Sequence, residues 1–149
     1  KIKDSESMFY LGRGLDYVIA VEGALKSKEI SYIHSEAFAS GELKHGTIAL
    51  ITDGVPVVVN ATQSDLFEKS VSNIKEVTSR GAYVIAIAKE GNTVVEEVAD
   101  EVFYIPDVED DYAGFPTIVI HQLLAYYLSK LKGNDVDKPR NLAKSVTVE

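Results

Sequence analysis

Three charged residues at helical spacing are the best candidates for chemistry in this chain: Glu22, Lys26 and Glu29. At roughly 100° per residue, the segment 16–33 can form an amphipathic helix on which the three side chains share one line. One turn of spacing lets Lys26 reach either carboxylate. Apolar residues flank the same line, so we predict that the triplet faces the core: Val18, Ile19, Leu25 and Ile33.

Ionised groups on a core-facing side are costly, and they are usually kept for chemistry or specificity. The alternative is a plain salt bridge between helical turns, which would belong on a solvent-exposed face. The opposite face carries small and polar residues instead, and we expect that face to be the solvated one: Ala20, Ala24, Ser27, Lys28 and Ser31. The stripe therefore indicates acid–base chemistry on a helix, and the remaining elements must position it.

Short apolar runs alternate with helical patterns along the chain. Runs that are apolar on both faces belong in a parallel sheet covered by helices, and they lie at 8–11, 55–61, 83–88 and 101–105. Helical patterns lie at 16–33, 35–41, 64–80, 93–99 and 115–132. This alternation is the signature of a doubly wound α/β domain, which binds ligands at the carboxyl ends of its strands.

The first such end carries Gly12, Arg13 and Gly14, directly between the first strand and the first helix. Glycines let the backbone approach a phosphate, and a helix N-terminus attracts anions. A tight strand-to-helix turn would need the same glycines, so both interpretations stay open. The acidic run 107–111 is expected to be a solvated loop.

Composition limits the remaining possibilities. The 149 residues are 26% charged and suit one domain, and the net charge of −8 makes a nucleic-acid backbone a poor partner. No apolar run of about 18 residues marks a membrane segment or a secretion signal. The absence of cysteine fits a cytoplasmic protein. The chain begins at Lys1 rather than methionine, which suggests a fragment of a longer protein.

The histidines and the C-terminal segment give weaker signals. The three histidines lack metal-type spacing, so we predict neither a metal site nor a cofactor, and His121 on the apolar last helix suits a structural role. The last fifteen residues form either a frayed terminus or a tail docked on the body. Their apolar residues favour docking, which would bring the amine of Lys144 to a cleft: Val136, Leu142, Val146 and Val148.

Three motifs in order carry a family resemblance: VEGALKSKEISYIH at 21–34, GELKHG at 41–46 and PRNLAKSVTVE at 139–149. Together they resemble the C-terminal end of the glucosamine-6-phosphate synthase family, the isomerising glutamine:fructose-6-phosphate amidotransferases. The resemblance implies a sugar isomerase (SIS) domain over residues 1–132 and a closing tail over 133–149. The implied fold is a three-layer α/β/α sandwich around a parallel five-stranded sheet, of the flavodoxin-like or Rossmann-like kind.

The resemblance also implies roles. Glu29 matches the proton shuttle between C1 and C2 of the sugar, with Glu22 and Lys26 as its partners, and His45 matches a ring-opening histidine that serves a neighbouring subunit. Lys144 matches the lysine that forms a Schiff base with the open-chain ketose. Five further residues are predicted to contact the substrate: Ala143, Arg140, and Gly12, Arg13 and Gly14 of the loop.

The implied partners are a sugar phosphate, a second copy of the chain, and the glutaminase and first SIS domains of a longer parent. The function expected from this is the conversion of fructose 6-phosphate and glutamine-derived ammonia into glucosamine 6-phosphate, with the fragment inactive alone. The alternative is a non-catalytic SIS module that binds a phosphosugar in a regulatory or dimerising role.

Overall fold

Five parallel strands form the centre of the computed structural model, which describes residues 1–141. The strands are adjacent in the order β2-β1-β3-β4-β5, and every neighbouring pair is parallel. Their bounds are β1 Ser7–Gly12, β2 His34–Ala39, β3 Pro56–Ala61, β4 Tyr83–Lys89 and β5 Glu101–Ile105. This is the flavodoxin-like order, which confirms the predicted five-stranded parallel sheet and puts the switch point between β1 and β3.

Helices cover both faces of the sheet: α1 Leu15–Ser31, α2 Phe67–Thr78 and α3 Gly114–Leu131. Successive strand residues point to opposite faces, so β1 sends Phe9 and Leu11 to the α2 side and Met8 and Tyr10 to the side of α1 and α3. The two resulting cores give the three-layer sandwich. Helix α3 ends one residue before the predicted domain boundary.

Two predicted helices are wrong. The segment 35–41 forms the edge strand β2, which pairs with β1 over six residues, and the segment 93–99 forms only a 3₁₀ turn at Thr93–Glu97. The error at β2 has a physical cause. An edge strand pairs on one side only, and here Glu36, Ala37 and Phe38 are partly exposed, so the segment lacks the continuous apolar run that marked the other strands.

Helix α1 packs unusually close to its neighbours because its buried face consists of small residues. A Cβ atom at Gly23 would lie 2.7 Å from the ring of His121 on α3, which is too close for any side chain. Gly12 is equally constrained, since a Cβ there would lie 2.3 Å from the backbone of Asp16 in the first turn of α1. These two glycines set the depth at which α1 lies against the sheet and α3.

Candidate active site

The orientation of α1 is opposite to the one predicted. Its buried residues are small or polar: Asp16, Ala20, Gly23, Ala24, Ser27 and Ser31. The apolar residues of the helix point outward, with Val18 59% exposed and Leu25 39% exposed. The prediction that the charged stripe faces the core is therefore wrong, because close packing against the sheet and α3 selects small side chains, and it leaves the larger ones on the outer face.

The charged triad itself forms as its spacing predicted. Lys26 Nζ lies 2.8 Å from Glu29 Oε2 and 3.5 Å from Glu22 Oε1. The hydrogen bond to Glu29 is the main reason that the pKa of Lys26 is raised, so the lysine stays protonated between the two carboxylates. All three side chains are partly solvated, with 30% to 45% of their surface exposed. Burial therefore gives no evidence of function here, and the triad is a half-exposed ion-pair network.

The chain beyond α3 returns to the C-terminal end of α1. Asn134 Nδ2 donates a hydrogen bond to the carbonyl of Ile30 at 3.1 Å. Further along, the backbone N–H of Arg140 donates to the hydroxyl of Tyr32 at 3.0 Å, and the guanidinium lies 4.1 Å from the centre of the tyrosine ring. The described part of the tail is thus docked on the body. Ala143 and Lys144 lie outside the described residues.

The docked tail and Glu29 of the triad line one cavity of about 410 Å³. Arg140 is the tail residue that lies at this cavity with Glu29. The remaining lining residues come from the last turns of α1 and from the tail: Leu25, Lys28, Tyr32 and Asn141. An anionic carbon acid entering this cavity would meet a carboxylate able to exchange a proton and two cationic side chains, Lys28 and Arg140.

Tail docking can be tested at Tyr32. We expect Tyr32→Leu to raise the rate of tryptic cleavage after Arg140 about thirtyfold, because it removes a hydrogen bond and a cation–π contact of about 1 kcal/mol each. Cleavage would be followed by mass spectrometry under native conditions. Tyr112→Leu, at a tyrosine that is 59% exposed, is the matched control. Equal cleavage of Tyr32→Leu and the unaltered chain would contradict docking through this side chain.

Two other groups of predicted site residues lie at the far end of α1. Gly12, Arg13 and Gly14 precede the helix, whereas Glu29 is near its end, so about 15 residues of helix separate them, or about 22 Å. His45 ends a 3₁₀ turn that follows β2 at the same carboxyl edge of the sheet. Its Nδ1 lies 2.7 Å from Glu42 Oε2, and its side chain is 71% exposed. Within one chain, neither group meets the triad.

A buried polar network at the switch point was not predicted. The carboxylate of Asp16 accepts hydrogen bonds from the backbone N–H and hydroxyl of Thr62 and from the N–H of Gln63, at 2.5–3.3 Å. Asn60 donates to the backbone carbonyl of Asp16 and lies 3.0 Å from His121 Nε2. Burial raises the pKa of Asp16. The available signal was an acidic residue in the first turn of a helix that follows a glycine loop.

The acidic run is only partly the solvated loop that we predicted. Asp107, Glu109 and Asp111 are exposed, but the carboxylate of Asp110 accepts bonds from the N–H and hydroxyl of Ser64 at 2.7 and 2.8 Å. It also contacts Lys89 Nζ at 2.5 Å, and the hydrogen bond from this lysine is the main cause of a lowered Asp110 pKa. The loop after β3 is therefore hydrogen-bonded to two carboxylates, that of Asp16 and that of Asp110.

His121 should make folding stability depend on pH. Burial lowers its pKa from 6.5 to about 4, and the unfolded chain takes up this proton near pH 6.5. The stabilisation is complete above pH 6.5 and is lost as the pH falls toward 4, by about 3 kcal/mol in total. We expect urea unfolding at pH 7 and pH 5 to show a smaller loss for His121→Gln than for the unaltered chain.

The control for this prediction is His34→Gln, which removes an exposed histidine and should leave the pH dependence unchanged. Asp16, whose raised pKa acts in the opposite sense, is common to all three proteins and cancels in the comparison. Equal slopes for His121→Gln and His34→Gln would contradict the assignment.

The family is decided by a match over most of the chain. Residues 1–131 match the model of the SIS domain. The chain belongs to the SIS domain family. No helix among residues 1–141 of this SIS domain is long and apolar enough to cross a membrane, and no group of three or more acidic or histidine side chains in that range is arranged to hold a metal ion.

Similar proteins confirm the resemblance drawn from the three motifs. The isomerising glutamine-fructose-6-phosphate aminotransferase of Clostridium acetobutylicum is 65% identical over 144 residues, and the one of Fusobacterium nucleatum is 58% identical over 149 residues. These alignments cover 97% and 100% of the SIS domain but 24% of either relative. The domain thus spans about a quarter of the length of these proteins.

Solved structures of related proteins have the same fold as this SIS domain. The C-terminal domain of glucosamine-fructose-6-phosphate aminotransferase from Francisella tularensis superposes with a TM-score of 0.84 at 43% identity, over 92% of the SIS domain and 39% of that chain. A glucosamine-6-phosphate deaminase from Thermotoga maritima superposes with a TM-score of 0.77 at 28% identity, over 98% of the domain and 42% of that chain.

Proposed function

We propose that this SIS domain supplies one wall of the active site of an enzyme that converts fructose 6-phosphate and glutamine-derived ammonia into glucosamine 6-phosphate. The observation that carries the proposal is the meeting of Glu29 and the docked tail in one cavity. The names of the relatives support it, as does the resemblance carried by the three motifs. The proposed reaction needs imine formation at a ketone and proton transfer between adjacent carbons, and each step requires a poised acid or base.

Glu29 is proposed as the proton shuttle between C1 and C2. A carboxylate on one face of the sugar can take a proton from one carbon and return it to the next. Lys26 Nζ donates a hydrogen bond to Glu29 Oε2 at 2.8 Å and would hold the carboxylate in place. Glu22 Oε1 lies 3.5 Å from Lys26 Nζ and gives the lysine a second carboxylate partner. Lys26 therefore keeps an ionised partner when Glu29 is neutralised by the substrate's proton.

The tail is proposed to supply the Schiff-base lysine. Arg140 and Asn141 lie at the cavity beside Glu29, and Lys144 follows only three residues after Asn141. Three residues of extended chain span at most about 10 Å, so Lys144 cannot lie far from Asn141 at this cavity. Lys144 would attack the ketone, Ala143 and Arg140 would contact the substrate, and closure of the tail would exclude water from the imine.

His45 is proposed to open the sugar ring in the site of a second copy. The observation behind this is its place at the carboxyl edge of the sheet, one helix length away from Glu29 on the same chain. Its imidazole is exposed and lies 2.7 Å from Glu42, so it is accessible to the site of a second copy. In a homodimer, His45 of each copy would complete the site that contains Glu29 of the other copy.

The partner proposed for the outer face of α1 and α3 is the first SIS domain of the parent. Both helices expose large apolar side chains, and Phe115 and Tyr127 of α3 are 71% and 59% exposed. Exposed patches of this kind mark interaction sites. Since the domain covers a quarter of its relatives, the missing part is long enough to include both a glutaminase and a first SIS domain.

We place the parent enzyme in the cytoplasm.

The chain alone should be inactive. We expect isothermal titration calorimetry of the 149-residue chain with fructose 6-phosphate to give only weak, millimolar binding, and an assay with ammonia to give no glucosamine 6-phosphate. A parent protein that contains the same 149 residues should form the product from fructose 6-phosphate and glutamine. A parent that binds fructose 6-phosphate without turnover would support the non-catalytic alternative, and tight binding by the chain alone would contradict the need for a second domain.

A further inference from the structure

A second cavity, of about 230 Å³, lies at the carboxyl edge of the sheet, far from Glu29. It is formed where the loop after β1, the 3₁₀ turn Ser40–His45 and helix α2 meet. Its polar lining includes Arg13, Ser40, Lys44, Lys69, Ser72 and Asn73. Every one of these side chains can donate a hydrogen bond, and three of them are cations.

The cations face a single carboxylate. Glu76, on the next turn of α2 after Asn73, lies 3.6 Å from Lys44 Nζ, and this is a long ion pair at a largely exposed lysine. Within residues 1–141, neither Arg13 nor Lys69 forms an ion pair. The cavity therefore carries an excess of two positive charges, although the chain as a whole has a net charge of −8. Such a local excess attracts anions.

The guanidinium of Arg13 is positioned by an amide side chain and not by a carboxylate. Its Nε donates to Asn73 Oδ1 at 2.9 Å, which leaves the two terminal nitrogens of the guanidinium without an acceptor among the described residues. A Cβ at Gly41 would lie 3.3 Å from Arg13 Nη1, so the glycine gives the guanidinium room beside the turn. Two parallel N–H groups are the geometry that binds a phosphate through two oxygens.

Ser40 gives an independent sign of a missing ligand. The residue is 1% exposed, and its hydroxyl has no hydrogen-bond partner within residues 1–141. A buried hydroxyl without a partner destabilises a protein, so most are paired. Ser40 lies on the wall of this cavity together with Arg13, where a ligand oxygen would satisfy it.

We propose that this cavity binds the phosphoryl group of a small molecule, at a site separate from the triad. Arg13 would hold two phosphate oxygens, Lys69 and Lys44 would balance the charge, and Ser40 would donate to a third oxygen. The distance of about 22 Å along α1 means that one hexose phosphate cannot occupy both sites of the same chain. The proposal does not depend on the reaction proposed above.

The test is a titration of the full 149-residue chain with inorganic phosphate at constant ionic strength, followed by amide chemical shifts. Saturable shifts are expected at residues 40–44 and 69–73. Lys69→Gln should weaken binding about fivefold, as the loss of one charged contact does. Lys75→Gln removes the same charge from the same helix outside the cavity and should change the affinity less than twofold.

Ser40→Ala separates a ligand contact from a structural role. Because the hydroxyl makes no hydrogen bond within residues 1–141, the variant should unfold at an unchanged or higher temperature without phosphate. Phosphate should raise that temperature less than in the unaltered chain. Absence of saturable shifts, or equal weakening by Lys69→Gln and Lys75→Gln, would overturn the proposal. Competition by fructose 6-phosphate at lower concentration than phosphate would identify a phosphorylated sugar as the ligand, and weaker competition would identify free phosphate.

Discussion

Glu29→Gln in the full-length parent should lower the formation of glucosamine 6-phosphate by about 10²- to 10⁴-fold, the usual contribution of a general base. Glutamine keeps the size of the side chain and its hydrogen-bonding ability toward Lys26, but it cannot take a proton from carbon. Exchange of the C1 or C2 proton with solvent should disappear together with product formation. Hydrolysis of glutamine should continue, since the glutaminase is a separate domain in the proposed parent.

Two further variants sharpen this experiment. Glu22→Gln should lower product formation only about tenfold. Glu22 lies farther from Lys26 than Glu29 does, at 3.5 Å, and its side chain is more exposed than that of Glu29. Glu97→Gln removes an exposed carboxylate from a 3₁₀ turn and controls for net charge. Proton exchange at the unaltered rate in Glu29→Gln would refute the assignment, whatever its effect on product formation.

Lys144→Arg in the parent should abolish the covalent adduct that borohydride traps with fructose 6-phosphate. The lysine amine attacks the ketone, water leaves, and hydride reduces the resulting imine to a stable secondary amine. Arginine keeps the positive charge but stays protonated, so it cannot attack. Mass spectrometry of the reduced protein would locate the adduct on the C-terminal peptide.

Lys138→Arg is the matched control for this trap. Lys138 is an exposed lysine on the same tail, six residues before Lys144, and its replacement should leave the adduct intact. An undiminished adduct in Lys144→Arg would disprove the Schiff-base role and would direct attention to another lysine. Lys28, which lines the cavity beside Glu29, would then be the first alternative.

The sequence predicted most of the fold because the buried strands are continuous apolar runs and the helices have clear periods. It did not predict the edge strand β2, whose partly exposed residues resemble neither pattern. The charged triad could be located from spacing alone, but its environment could not. Hydrophobic periodicity assumes that large apolar side chains point inward, whereas α1 buries Ala20, Ala24 and Ser27 and exposes Val18 and Leu25.

The cavity between Glu29 and the tail was beyond sequence reasoning for another reason. It depends on Tyr32 receiving Arg140 from 108 residues away, and no local pattern encodes such a contact. The same holds for the polar network of Asp16, Thr62 and His121. Its members come from three separate elements, and each is unremarkable in its own segment.

The small-residue face of α1 limits which substitutions this SIS domain can accept. Gly23 has no space for even a methyl group beside His121, so α1 cannot slide or rotate without disturbing α3. The triad is thus mounted on a backbone with little freedom, which suits groups that must be positioned to within about 0.5 Å. A larger residue at Ala20, Ala24 or Ser27 should displace Glu29 while leaving every side chain of the triad present, and it should therefore impair the proposed reaction from a distance.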